Sequence, residues 1–186
     1  MRKIIISSFI TFFFCLPLVL FAANRTNSWI ITPSLSAYNY AAKRHMDDQA
    51  VPGFSLGYGL SSRVSAALYF GRMMTTQTGS EKRDVRGAIY ALDGFYYFMP
   101  QSLLQPYLLA GVGIIRLIPA NRADADTQAN LNAGAGAMYF FSNQIALSLD
   151  LRDFYTMVGG KHDFMGNFSV VIMLGGDKNK SIDTKG

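Results

Sequence analysis

The stretch 127–154, TQANLNAGAGAMYFFSNQIALSLDLRDF, constrains the fold more than any other part of the chain. Its apolar residues recur at every second position, which is the period of a strand. Before a turn at Ser142-Asn143, Ala129, Leu131, Ala133, Ala135, Ala137, Tyr139 and Phe141 share one face. Gln128, Asn130, Asn132, Gly134, Gly136 and Met138 share the other. After the turn, Ile145, Leu147, Leu149 and Leu151 alternate with Gln144, Ala146, Ser148, Asp150 and Arg152. A hairpin with one apolar and one small, polar face suits two environments. Either the apolar face lines a soluble core, or it faces lipid while the polar face lines a lumen.

The N-terminus bears on that choice. Arg2 and Lys3 precede an apolar run over 4–21, and Ala22-Ala23 follows as a small-residue cleavage site. Residues 1–22 therefore read as a secretory signal peptide, with an uncleaved membrane anchor as the alternative. Pro17 and the small residues favour cleavage. The sole cysteine, Cys15, lies in this segment, so the exported part has neither a disulfide scaffold nor a thiol nucleophile. Without Arg2 and Lys3, 15 of the 17 basic residues remain against 12 acidic ones, a net charge of +3. That is too mild an excess to point to nucleic acid. No later apolar run is long enough for a transmembrane helix, yet half the chain is apolar, with 14 Phe, 10 Tyr and 17 Gly. The pattern is all-β.

Seven connections separate eight expected strands over 23–176. Polar loops are expected at 41–49, 75–84 and 119–126, and tight turns at Ser61-Ser62, 99–102 and Ser142-Asn143; 158–162 is of middling length. Long and short connections alternate, so the long ones collect at one end. Even strand number, segments of about ten residues and asymmetric ends are the marks of an eight-stranded antiparallel transmembrane up-and-down β-barrel in the outer membrane. Lipid tolerates no open sheet edge, which forces closure. Aromatic residues gather near both strand ends and are expected to form interfacial girdles: 95–98, 139–141, Trp29 and Tyr107 at the short turns, Tyr38, Tyr40, Phe154, Tyr155 and Phe164 at the long loops. A soluble secreted barrel would instead bury its large apolar residues. The fifth strand is apolar on both faces; by analogy Gly111 and Gly113 point inward, and Leu108, Ala110, Val112 and Ile114 outward. The tail 177–186 is polar and reads as a frayed end.

The runs GFSLGYGLSSRVSAALYFG, LDGFYYF, LQPYLLAGVGI and NLNAGAGAMYFFSNQIALSLDLRDFY also carry a resemblance. From about Trp29 to Gly176 the chain resembles the N-terminal barrel of the outer membrane protein A / porin F family (OmpA/OprF type). That implies an eight-stranded barrel with short turns in the periplasm and long loops outside. Family members usually continue into a peptidoglycan-gripping domain, and this chain stops about ten residues after its last strand, so tethering is not carried over. Its C-terminus also lacks the aromatic residue with which many barrels end, which leaves open how the barrel-assembly machinery reads the last strand.

Alternation places Asp93, Asp150 and Arg152 inside, with Asp163 nearer the loop end. An eight-stranded interior is narrow enough to be filled by side chains, so these charges are expected either to plug the lumen as a salt-bridge network or to gate a small ion path. Arg72, Arg86 and Arg116 lie outward beneath the long loops. They either end the hydrophobic belt by snorkelling or contact lipopolysaccharide phosphates. His45 and His162 are read as solvated loop histidines: His162 and Asp163 point to opposite faces and no serine accompanies them, which argues against a lipid A-modifying enzyme. No metal or cofactor is expected. The function expected is a structural outer-membrane barrel that conducts small solutes weakly, in contact with lipids and lipopolysaccharide. The alternative is an adhesin or receptor whose loops meet a host surface or a phage.

Overall fold

The computed structural model describes residues 25–40, 48–77, 83–119 and 126–176. The signal segment with Cys15, His45 in the first loop and the tail 177–186 lie outside the described residues. Eight strands follow in order: β1 Ser28–Asn39, β2 Gln49–Gly59, β3 Val64–Gln77, β4 Arg83–Tyr97, β5 Leu104–Pro119, β6 Asp126–Phe140, β7 Ile145–Thr156 and β8 Lys161–Gly175. Each pairs antiparallel with its sequence neighbours, and β1 closes on β8. No strand has a free edge, so the backbone amides of the wall find partners without water.

The register gives the barrel its dimensions. From Ile145, successive paired residues are Ile172, Ile31, Leu56, Leu68, Leu92, Val112, Leu131 and Tyr155. The circuit returns to β7 ten residues from its start, at 155 instead of 145. With strands about 4.8 Å apart and a rise of about 3.3 Å per residue, a stagger of that size tilts the strands by about 41° and sets a backbone radius of about 8 Å. The interior is therefore a space for side chains rather than a wide channel. Every residue on this circuit faces outward and is apolar. Among the described residues, 30 large apolar side chains are exposed. A soluble monomer does not display such a continuous belt, whereas a wall facing lipid requires it.

The fifth strand follows the expected faces: Leu108, Val112 and Ile114 are exposed outward, while Leu109 and Ile115 are buried. Two expectations need correction. Residues 75–77 and 83–84 belong to β3 and β4, and Asp126 belongs to β6, so the connections there are shorter than their polar sequences suggested. The hairpins simply continue past the belt, where water tolerates polar side chains on paired backbone. Strands of 14 to 16 residues, such as β3 and β5, exceed the roughly 9–11 needed to cross. The aromatic girdles are also thinner than expected. Trp29, Tyr96, Phe98 and Phe141 face outward at one end, and Tyr155 and Phe164 at the other. Tyr97, Tyr107, Phe140, Tyr38 and Phe154 are buried in the lumen. Phe95 and Tyr40 pack against those inner clusters. Strict alternation explains both sets, because neighbouring aromatics in one strand cannot share a face.

The core lies inside the barrel, in two apolar layers. The lower, at the short-turn end, joins Ile30, Tyr97, Tyr107, Leu109, Met138, Phe140, Ala146, Val171 and Met173. The upper joins Tyr38, Val51, Tyr69, Met73, Ile89, Ala91, Ile115, Leu117, Phe154 and Met165. The inward face is thus less polar than its glycines and asparagines implied.

Candidate functional site

Between these layers sits a charged cross-brace. Asp150 and Arg152 are two residues apart on β7, so both point inward. Arg152 Nε donates to Asp150 Oδ1 at 2.6 Å, and its Nη1 reaches across the lumen to Asp93 Oδ2 on β4 at 2.7 Å. All three side chains are buried. Charge buried at this depth persists only when its remaining bonding positions are filled. Here Tyr107 and Asn167 both donate to Asp150 Oδ2, at 2.9 and 3.1 Å, and Asn132 donates to Asp93 Oδ1 at 2.9 Å. Ser36 supports Asn167 from β1 at 2.8 Å, and the Arg152 guanidinium lies 5.4 Å from the Tyr69 ring centre on β3. All strands except β2 contribute to this brace. With two carboxylates and one guanidinium, its formal charge is −1.

The sequence shows how room was made for it. Gly111 on β5 pairs with both Asp93 and Asn132, and a Cβ there would lie 2.2 Å from Asp93 Oδ1 and 2.9 Å from Asn132 Nδ2. A glycine opposite a large inward polar residue is a readable signal. It recurs where Gly136 faces Tyr107 and Asp150.

Of the predicted lumen charges, Asp93, Asp150 and Arg152 come together. Asp163 is fully buried one inward layer nearer the loop end, where it accepts a hydrogen bond from Tyr38 at 3.0 Å. The Arg152 and Asp163 positions follow from their pairing with Met165 and Phe154, two residues apart on each strand. Sequence reasoning did not find Tyr107, Asn167, Ser36 or Tyr38 as partners of these charges, and it expected Tyr38 and Tyr107 in the aromatic girdles instead. It also missed Arg25, which precedes β1 yet is fully buried at the short-turn mouth. Burial lowers the Arg25 pKa from its ordinary value, but a guanidinium stays charged in a protein.

The outward residues are arranged as follows. Ala88 on β4 pairs with Arg72 on β3 and with Arg116 on β5, and Arg86 lies two residues further along β4. All three arginines are exposed. Adjacent strands are about 4.8 Å apart, so Arg72 and Arg116 stand roughly 10 Å from each other across a small residue. His162 is a strand residue rather than a loop one. Its Nδ1 lies 2.8 Å from Asp153 Oδ2, on the outward face, with its ring 4.9 Å from that of Tyr155. Ser169, deeper along the same strand, shares a 2.6 Å hydrogen bond with Ser148 in the lumen, on the other side of the wall.

Known proteins agree with this architecture. The family model described as the OprF membrane domain matches residues 32–178. The chain is 30% identical to outer membrane porin F of Pseudomonas aeruginosa over 146 residues, 73% of this chain and 41% of that protein. It is 28% identical to porin F of Pseudomonas fluorescens, covering 75% of this chain and 45% of that one. The chain thus spans less than half the length of these curated relatives. Among solved structures, the N-terminal β-barrel domain of Pseudomonas aeruginosa OprF matches with a TM-score of 0.61 at 23% identity, covering 80% of this chain and 98% of that domain. Neisserial surface protein A matches with a TM-score of 0.62 at 17% identity, covering 78% and 96%. A closed eight-stranded barrel with a lipid belt and these relatives places the protein in the outer membrane as a porin-like barrel. The chain belongs to the family of the OprF membrane domain.

Proposed function

We propose that this barrel serves the outer membrane as a structural, porin-like element whose lumen rests closed and conducts weakly when the cross-brace re-pairs. The observation that supports this is Arg152 spanning the lumen between Asp150 and Asp93. A guanidinium held by two carboxylates on distant strands stiffens the wall and blocks the axis at once. Release from Asp93 would leave Arg152 paired with Asp150 on its own strand, so opening does not require an unpaired buried cation. Asp150→Ala is expected to lower stability and change single-channel conductance in planar bilayers. If neither changes, the brace has no part in the function.

A second reading concerns partners. Arg72, Arg86 and Arg116 converge on one outward patch near the loop end, a geometry suited to the phosphates of lipopolysaccharide, since guanidinium forks match phosphate oxygens. The triple Arg→Gln variant should bind lipopolysaccharide more weakly, and unchanged binding would leave these side chains only as belt-ending residues. A catalytic role is not proposed: the curated relatives are porins. The loop segments 41–47, 78–82 and 120–125, on which an adhesin or receptor reading rests, lie outside the described residues.

A further inference from the structure

The lower mouth of the lumen is closed by a residue that is not part of the sheet. Asn27 adopts a left-handed conformation, φ 59°, which asparagine tolerates better than most residues. The Asn27 amide donates to the Gly59 carbonyl at 2.9 Å, and the Ser28 amide and hydroxyl donate to the Arg25 carbonyl at 3.1 and 2.5 Å. This turn folds the chain back beneath the barrel. Its path needs glycine at 59, where a Cβ would sit 1.8 Å from the Arg25 carbonyl oxygen.

The turn delivers the Arg25 guanidinium into a prepared seat. Its centre lies 3.7 Å from the Tyr97 ring centre and 5.4 Å from that of Phe140. Nη1 donates to the Ser62 carbonyl at 3.2 Å, and Nη2 donates to Gln105 Oε1. Gln105 is itself fixed, because its Nε2 donates to the Pro100 and Ser102 carbonyls at 2.9 Å each. Every one of these partners is neutral. The seat is a cradle of aromatic faces and carbonyl oxygens, which selects a flat, weakly hydrated cation without holding it in a salt bridge.

Above the seat lies a cavity of about 40 Å³, lined by Tyr97 and Met138 below, by hydroxyls including Ser55, Ser65 and Ser148, and by Asp150 and Arg152 above. That is room for a few waters, and the lining has the polar groups to hold them. We infer that the periplasmic mouth is a guanidinium-binding site, occupied in cis by Arg25, which acts as a tethered stopper for this hydroxyl-lined chamber. The stopper works whether or not the cross-brace above ever opens.

The test uses a single thiol inside the chamber. Ser55→Cys, in a Cys15→Ser background, is reacted with 2-aminoethyl methanethiosulfonate in barrels reconstituted in vesicles. With Arg25 present the thiol is protected. With Arg25→Ala the labelling rate rises by roughly tenfold or more, the scale of a lost desolvated cation–π contact. Adding guanidinium chloride at a non-denaturing concentration restores protection, and the same concentration of sodium chloride does not. Asn27→Val unseats the stopper without altering its cradle and should raise labelling likewise, which keeps the test available if Arg25→Ala does not fold. Equal labelling with and without Arg25, or equal protection by sodium and guanidinium, would overturn the proposal. Bilayer conductance of Asp150→Ala is read separately and does not bear on this outcome.

Discussion

The cross-brace makes an asymmetric prediction. Arg152 is the only cation in a cluster with two carboxylates, all buried. Arg152→Met keeps much of the side-chain volume and removes the charge, which leaves Asp93 and Asp150 uncompensated. Breaking a buried pair from one side costs about 3–5 kcal/mol. Asp93→Asn does the reverse. It leaves the Arg152–Asp150 pair neutral and intact, its carbonyl still accepts from Arg152, and a flip of the Asn132 amide turns its Oδ1, a buried atom now without a partner, to accept from the new amide. One near-neutral exchange of hydrogen bonds is worth about 1 kcal/mol. The two variants should therefore differ by roughly 2–4 kcal/mol, a factor of about 30 to 1,000 in the folded-to-unfolded ratio. Urea titration in lipid vesicles, scored by heat-modifiable gel migration, measures both. If Asp93→Asn costs as much as Arg152→Met, the brace is not organised around Arg152 and the reasoning fails.

Two further predictions follow from packing. Gly111→Ala drives a methyl group into Asp93 and Asn132 and should cost about 1–3 kcal/mol, whereas Gly166→Ala, whose Cβ would meet only Leu151 Cδ2 at 3.5 Å, should be nearly neutral in the same titration. Leu151 is 73% exposed on the belt, so Leu151→Arg should destabilise the barrel by up to about 2–4 kcal/mol in lipid. The loss should shrink in short-chain detergent micelles; an equal loss in both media would contradict a lipid-facing Leu151.

Much of this was legible in the sequence, because a two-residue period leaves little freedom. Once Leu147, Leu149 and Leu151 face lipid, Ser148, Asp150 and Arg152 must face inward, and the same logic places Asp93, whereas the glycines of β5, a strand apolar on both faces, follow only by analogy with the other strands. Strand ends were less legible. Thr75, Thr76 and Gln77 have the composition of a loop, yet their backbone pairs with residues 83–85, since a hairpin beyond the belt needs no apolar face. The aromatic girdles were overcounted for a different reason. A cluster such as 95–98 shows where aromatics are along the chain, but only parity tells which of them reach lipid. Partners across the lumen depend on the stagger of the closed sheet, which no single strand reveals: nothing in DLR at 150–152 names Asp93. Arg25 was illegible because it lies outside any alternating segment, and only the Asn27 turn brings it under the barrel.

A nitroxide scan along β7 tests the central claim most directly, since it reads lipid contact and lumen closure in one strand. Single labels at positions 145–149 and 151, in vesicles, are compared for collision with oxygen, which concentrates in lipid, and with a water-soluble nickel chelate. Ile145, Leu147, Leu149 and Leu151 should show high oxygen and low nickel accessibility. Ala146 and Ser148, which lie below the brace and leave it intact when labelled, should be shielded from both, because the lumen they face is closed. Nickel accessibility at the even positions would mean an open aqueous channel, and loss of the alternation would mean that this face does not meet lipid.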